Sequence, residues 1–179
     1  MAGSTQVIEQ TKKWVADVVA GCNFCPFAAK EIKQNSIHYQ VSQSTDFANC
    51  LQALLDECRR LDTETIETTL LIFPEAFKKF DDYLELVTLA EKLLHKEGYD
   101  GIYQVASFHP FYIFSGATAN DAANFTNRSI YPMLHLLRED SISKALEKYP
   151  NPDEIPTRNI AFARTKGLAY MKMLRDACM

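Results

Sequence analysis

The chain has 179 residues, 47% of them hydrophobic and 23% charged, with a formal net charge of −4 at pH 7. This length and apolar content predict one globular domain, residues 1–179, with a sizeable core. No run is long and apolar enough for a bilayer span, and no basic patch is interleaved with aromatics, which argues against membrane and nucleic-acid partners.

Val7, Ile8, Thr11, Trp14, Val15, Val18 and Val19 recur at helical spacing, predicting a first helix from Thr5 to Ala20 stopped by Gly21. Cys22 and Cys25 then form a C-x-x-C. Pro26 reads as the first residue of a helix to Gln34, with Cys25 at its N-cap, where free N–H groups and the helix dipole are expected to ease ionisation of the thiol. Ile37, Tyr39 and Val41 alternate with His38, Gln40 and Ser42, which predicts a strand near a sheet edge with His38 facing solvent. Phe47, Leu51, Leu54, Leu55, Cys58 and Leu61 mark a helix capped by Ser44 or Thr45, with Cys50 and Cys58 as packing residues.

The continuously apolar run from Thr69 to Pro74 predicts a central strand covered on both faces. A long helix from Phe77 to Leu94, closed by Gly98, leads to a strand from Ile102 to Phe108. Strands separated by helices of this length predict parallel pairing with right-handed crossovers. Phe111 to Phe114 is a candidate fourth strand, and residues 129–139 read as a helix. A short helix from Ser141 to Tyr149, a proline-marked loop and a final helix from Thr157 to Ala177 complete the chain. The fold class expected is α/β and helix-rich: a small, mainly parallel or mixed sheet of three to four strands packed by helices. Residues 155–179 carry five Lys or Arg against Asp176 on an otherwise acidic body, which predicts a basic helix docked intramolecularly.

The stretch from Val105 to Ser141 draws the functional reading. From Ile102 to Asn120 it contains no Asp, Glu, Lys or Arg, yet it carries Gln104, Ser107, His109, Tyr112, Ser115, Thr118 and Asn120. A plain core strand does not need so many hydrogen-bonding groups, each costly if unpaired, so the segment reads as a pocket wall. On the helix expected over 129–139, Arg128, Tyr131, His135, Arg138 and Glu139 share one face. A helix start capped by Ser129 with Arg128 beside it suits an anion, and Arg128, Arg138, His135, Tyr131 and Tyr112 are the candidate ligand-binding residues. An ordinary solvated helix face is the alternative.

Three readings stay open for the C-x-x-C: a redox dithiol, a structural loop, and a metal site such as zinc held by Cys22, Cys25 and His109 with His135 or Asp121 as fourth ligand. His109 ends a strand before Pro110, where open sheets often present functional groups, and Asp121 could orient its imidazole. His109, Cys25 and Asp121 are therefore the candidate catalytic residues, for proton transfer or nucleophilic attack. A core histidine and a turn-capping aspartate are the bland counterparts. G-x-G-x-x-G, Walker, H-E-x-x-H and G-x-S-x-G motifs are absent. The N-terminus lacks an apolar signal core and the odd number of five cysteines suggests free thiols, so the expected compartment is the cytoplasm.

Asn23-Phe-Cys-Pro-Phe27, His109-Pro-Phe-Tyr-Ile-Phe114 and the run from Thr126 to Glu139 together resemble an uncharacterised bacterial family of about this length, domain of unknown function fourteen-fifteen. The likeness spans nearly the whole chain; that family usually has Pro where Ile130 stands and Leu where Phe24 stands. It implies no assigned activity, cofactor or catalytic residue. The residues themselves suggest, first, an enzyme acting on a small anionic carboxylate or phosphate metabolite. A metal-binding protein and a non-catalytic ligand-binding or interaction module are the other two readings.

Overall fold

The computed structural model describes residues 3–179. Helix α1 (Ser4–Trp14) passes into a π-helical turn over Val15–Ala20, followed by α2 (Ala28–Gln34), β1 (Ile37–Val41), α3 (Phe47–Thr63), β2 (Thr68–Ile72), α4 (Phe80–Lys96) and β3 (Tyr103–Phe108). After a long loop with a 3-10 turn at Ala122–Thr126 come β4 (Met133–Arg138), α5 (Glu139–Glu147), α6 (Ile155–Lys166) and α7 (Leu168–Asp176). The strands form one mixed sheet in the order β1-β2-β4-β3. β1 and β2 pair in parallel, whereas β4 lies antiparallel to both β2 and β3.

β2 is fully buried and internal, as a strand covered on both faces must be. β4 is the departure from expectation: residues 133–138 are a strand, and the helix expected over 129–139 does not form. The apolar run Met133, Leu134, Leu136, Leu137 fits either period, and it is short enough for tertiary pairing to decide. Pro132 tips the balance by pushing Tyr131 towards extended backbone. β4 thus fills the position between β2 and β3, and Phe111 to Phe114 lie in a loop.

One face of the sheet packs on α3 and α4 through Cys50, Leu54, Cys58, Leu61, Leu71, Phe73, Tyr83, Leu86, Leu134 and Leu136, with both cysteines fully buried as expected. Tyr83 ties the strand ends together: its hydroxyl donates to the Met133 carbonyl at 2.8 Å and accepts from Phe108 N–H at 2.9 Å. His38 turns to this face rather than to solvent, 3.6 Å from the buried Glu57 carboxylate, which accepts from Thr69 and Arg60. Asp46 caps α3 by accepting from Asn49 N–H at 2.9 Å, a step later than the caps expected.

The other face packs on α1, the π-helical turn, α6 and α7 through Val7, Trp14, Val18, Leu70, Ile72, Phe125, Met133, Ala163 and Met171. Gly167, at φ 83° and ψ 161°, breaks the single C-terminal helix expected into α6 and α7. The basic segment docks as predicted: Arg158 donates to the Asn23 carbonyl, Arg164 grips Asp121, and Arg175 donates to the Pro110 carbonyl. No described helix is long and apolar enough to cross a membrane.

Candidate functional site

The loop between β3 and β4, which the sequence singles out, is closed by its own polar groups. His109 is fully buried, its Nε2 donating to the Phe77 carbonyl at 2.8 Å and its Nδ1 accepting from Phe111 N–H at 3.0 Å. Both ring nitrogens are committed, and burial pushes its pKa down, so His109 is a neutral brace between this loop and the segment preceding α4. Asn124 accepts from Phe114 N–H and donates to the Thr118 carbonyl. Arg128 donates to the Tyr112 and Ala119 carbonyls at 2.9 and 2.8 Å, with its guanidinium 5.0 Å from the centre of the Phe125 ring. Asp121 accepts from Ala123 N–H and takes a bidentate pair from Arg164, which holds its carboxyl down at about 2.

The remaining candidates are similarly engaged. Arg138 donates to the Leu61 and Ile66 carbonyls and to the Tyr103 hydroxyl, stapling the end of α3 to the sheet on the face away from α1. Tyr131 donates to Gln10 at 2.6 Å, and the Tyr112 hydroxyl accepts from Ser107 at 3.3 Å. The arginines proposed for an anion are thus occupied by backbone acceptors.

A cleft of about 720 Å³ opens elsewhere, on the face of the sheet that packs α1. Its floor is Ile37, Thr68, Leu70, Ala106, Phe108, His135 and Leu137, contributed by all four strands. Alternation along β4 accounts for this, since Met133, His135 and Leu137 point to one face while Leu134, Leu136 and Arg138 point to the other.

One wall is Trp14 with Val15 and Val19 of the π-helical turn. Its wider hydrogen bonding is seen in Gly21 N–H to the Ala16 carbonyl and Phe24 N–H to the Val19 carbonyl, both 2.9 Å. Such turns recur at functional sites because they re-aim side chains within a helix. Only glycine fits at position 21, where a Cβ would lie 2.2 Å from the Asp17 carbonyl oxygen. The opposite wall is α5, which presents Ser141, Ile142 and Ala145. Phe27 and Tyr149 meet edge to face at 5.8 Å where the C-x-x-C turn approaches the end of α5. Lys30, Lys144 and Lys148 are exposed and mark the mouth, and Glu31 and Glu67 also line the cleft. Lys30 pairs with Glu31 and Lys144 with Asp140, and Lys148 forms no ion pair among the described residues.

Three sequence candidates line this cleft, Cys25, His135 and Arg138, the last with its guanidinium held by the Leu61 and Ile66 carbonyls; His109, Asp121 and Arg128 do not line it. His135 is half-buried on the floor, and desolvation pushes its pKa down to about 4. Its Nε2 lies 2.7 Å from Thr68 Oγ1, which donates its own hydrogen to the Leu136 carbonyl at 2.6 Å. The hydroxyl can then only accept from the ring, so Nε2 carries the proton and Nδ1 is left as a lone pair. Cys25 departs from expectation: α2 begins at Ala28, and burial raises the thiol pKa more than the Phe27 and Ala28 N–H groups lower it. Burial likewise raises Cys22. His109 is held away from both, and no group of three or more described His, Cys, Asp or Glu side chains is placed to hold a metal ion.

Trp14 is the feature the sequence reading missed, because its helical spacing marked it only as core. Its indole N–H is buried without a hydrogen-bond partner, the kind of vacancy a core tryptophan usually avoids. No curated protein matches this chain, and neither does any solved structure. Residues 6–173 match the family model described as Protein of unknown function (DUF1415), and the chain belongs to that family.

Proposed function

We propose that the protein is a cytoplasmic, non-catalytic binding protein for a small, mostly apolar molecule that carries one anionic group. The observation that carries this reading is the cleft itself: a sheet-floored, apolar-walled space of about 720 Å³ with lysines at its mouth. That volume and that mix of apolar lining with few polar groups suit a small ligand. α5 adds support, since it buries none of its residues fully and turns Ile142 and Ala145 towards the cleft instead of a protein neighbour. The anion proposed from sequence is kept, and its partner becomes Lys148 rather than the arginines. Five free thiols, none in a disulfide, support the reducing compartment.

The test is a thermal-stability titration with octanoate, decanoate and dodecanoate, repeated on Lys148→Glu and on Ala145→Phe, which fills the cleft. Saturable stabilisation is expected in the natural chain, weakened about tenfold by Lys148→Glu and lost in Ala145→Phe. Stabilisation that survives Ala145→Phe, or none with any of the three acids, contradicts the reading.

A further inference from the structure

The sheet has two outer edges, on β3 and on β1, and the chain treats them differently. On β3, Glu139 N–H donates to the Ile102 carbonyl, so even-numbered residues face β4 while Tyr103, Val105 and Ser107 turn their backbone groups outward. This edge is closed at both ends. Tyr103 N–H donates to the Tyr99 carbonyl, the Ser107 carbonyl accepts from the Asn127 side chain, and His109 N–H donates to the Asn127 carbonyl. Cover of this kind protects a sheet from pairing with another chain.

β1 has no such cover. Glu67 N–H donates to the Ser36 carbonyl and Ser42 N–H to the Ile72 carbonyl, both at 2.9 Å, so the even-numbered residues of β1 face β2. Ile37, Tyr39 and Val41 therefore turn their N–H and C=O groups outward. Among the described residues, these groups have one partner, the Gln40 side chain 3.2 Å from the Val41 carbonyl. Every residue of β1 is half-buried whereas every residue of β2 is buried, so solvent reaches the outer strand. β1 also lacks the usual guards of a free edge, for it contains no Asp, Glu, Lys, Arg or Pro and its register runs without a bulge.

The outward groups of β1 are their own complement. A second β1 laid antiparallel about a two-fold axis at Tyr39 sets Tyr39 opposite Tyr39 of the partner subunit and Ile37 opposite Val41 of the partner subunit. Each outward N–H then meets an outward C=O, and only the Gln40 contact is given up. The side chains agree with this register: aromatic meets aromatic, β-branched meets β-branched, His38 meets Gln40, and no like charges are opposed.

We infer that β1 is the docking edge for a second copy of this chain, paired antiparallel about Tyr39 so that the two four-stranded sheets become one. Ile37 lines the cleft, so Val41 of the partner subunit extends the apolar floor of each cleft. The inference is independent of what the cleft binds.

Sedimentation equilibrium of the full chain, 20.3 kDa, should show a dimer in exchange with monomer between about 1 µM and about 1 mM. Val41→Pro removes an N–H that the chain itself does not use, and it should raise the dimer dissociation constant about tenfold or more. Val41→Ala shortens the same side chain but keeps the N–H, and should change that constant about twofold or less. Tyr39→Lys and Tyr39→Glu each oppose like charges across the axis and should be monomeric alone; mixed, they should form a heterodimer visible by native mass spectrometry. Such rescue requires a register in which position 39 faces itself. A natural chain that stays monomeric at about 1 mM overturns the inference. A dimer equally strong in Val41→Pro, or charge variants that fold yet stay monomeric when mixed, overturns it as well; if the charge variants do not fold, the comparison of Val41→Pro with Val41→Ala decides.

Discussion

The β3–β4 loop and the cleft are opposites. The loop is dense in polar side chains, and His109, Asn124, Asn127, Arg128 and Asp121 all spend their hydrogen bonds on the protein itself. The cleft is sparse in polar groups, yet His135 on its floor uses only Nε2, on Thr68, and its Nδ1 accepts from no described residue. Capacity to bind follows from unpaired groups facing space, and the number of polar groups in a segment says little about it. The loop needs its side chains because it crosses a long gap between two neighbouring antiparallel strands with little regular backbone pairing of its own.

The contrast can be broken from either side. The largest effect expected is from His109→Ala, which orphans the Phe77 carbonyl and Phe111 N–H and leaves a cavity between Phe80 and Tyr83. Denaturant unfolding should show a loss of roughly 3–4 kcal/mol, with dodecanoate binding retained wherever the protein is folded. Loss of binding at unchanged stability would instead return His109 to the site.

Acid sharpens the cleft side. The pKa of His135 is lowered from 6.5 to about 4 in the folded chain, so above pH 6.5 both folded and unfolded forms are neutral and its contribution is constant. As the pH falls below 6.5 the unfolded chain takes up a proton that the folded chain refuses, and stability drops until about pH 4. The shift corresponds to roughly 3 kcal/mol. His109, lowered by burial as well, adds in the same direction. His135→Leu should flatten the slope of stability against pH in that window, and an unchanged slope would show that His135 is not desolvated.

Arg128→Ala is the smallest of the three. It removes two donated hydrogen bonds to loop carbonyls and the contact with Phe125, about 2 kcal/mol in thermal or chemical unfolding. Carboxylate affinity should not change. A selective loss of affinity would restore the anion role suggested by its place in the sequence.

Much of the fold was legible in the residues. The buried run of β2, the alternation of β1 and the helical spacing of α3 and α4 each carry one unambiguous period, and each element formed. β4 was not legible from its pattern, because Met133 to Arg138 satisfies a helical face and a doubly covered strand equally, and the place between β2 and β3 together with Pro132 ahead of the run decides. That one reversal moved the candidate site. As a helix, residues 129–139 would bring Arg128, His135 and Arg138 to one face; as a strand they send His135 to the cleft and Arg138 to the opposite side of the sheet. Cys25 was found by its motif, though its thiol is harder to ionise than its place before a helix suggested. Trp14 carried a signal that was overlooked, since an indole N–H in a core position always raises the question of its acceptor.

The most direct measurement is the fluorescence of Trp14 during titration with dodecanoate, since the chain has no other tryptophan and this one lies in the cleft wall. Saturable change in emission that is absent in Ala145→Phe is the predicted result. Emission that stays constant while dodecanoate binds elsewhere, or that responds equally with the cleft filled, would contradict the placement of the site.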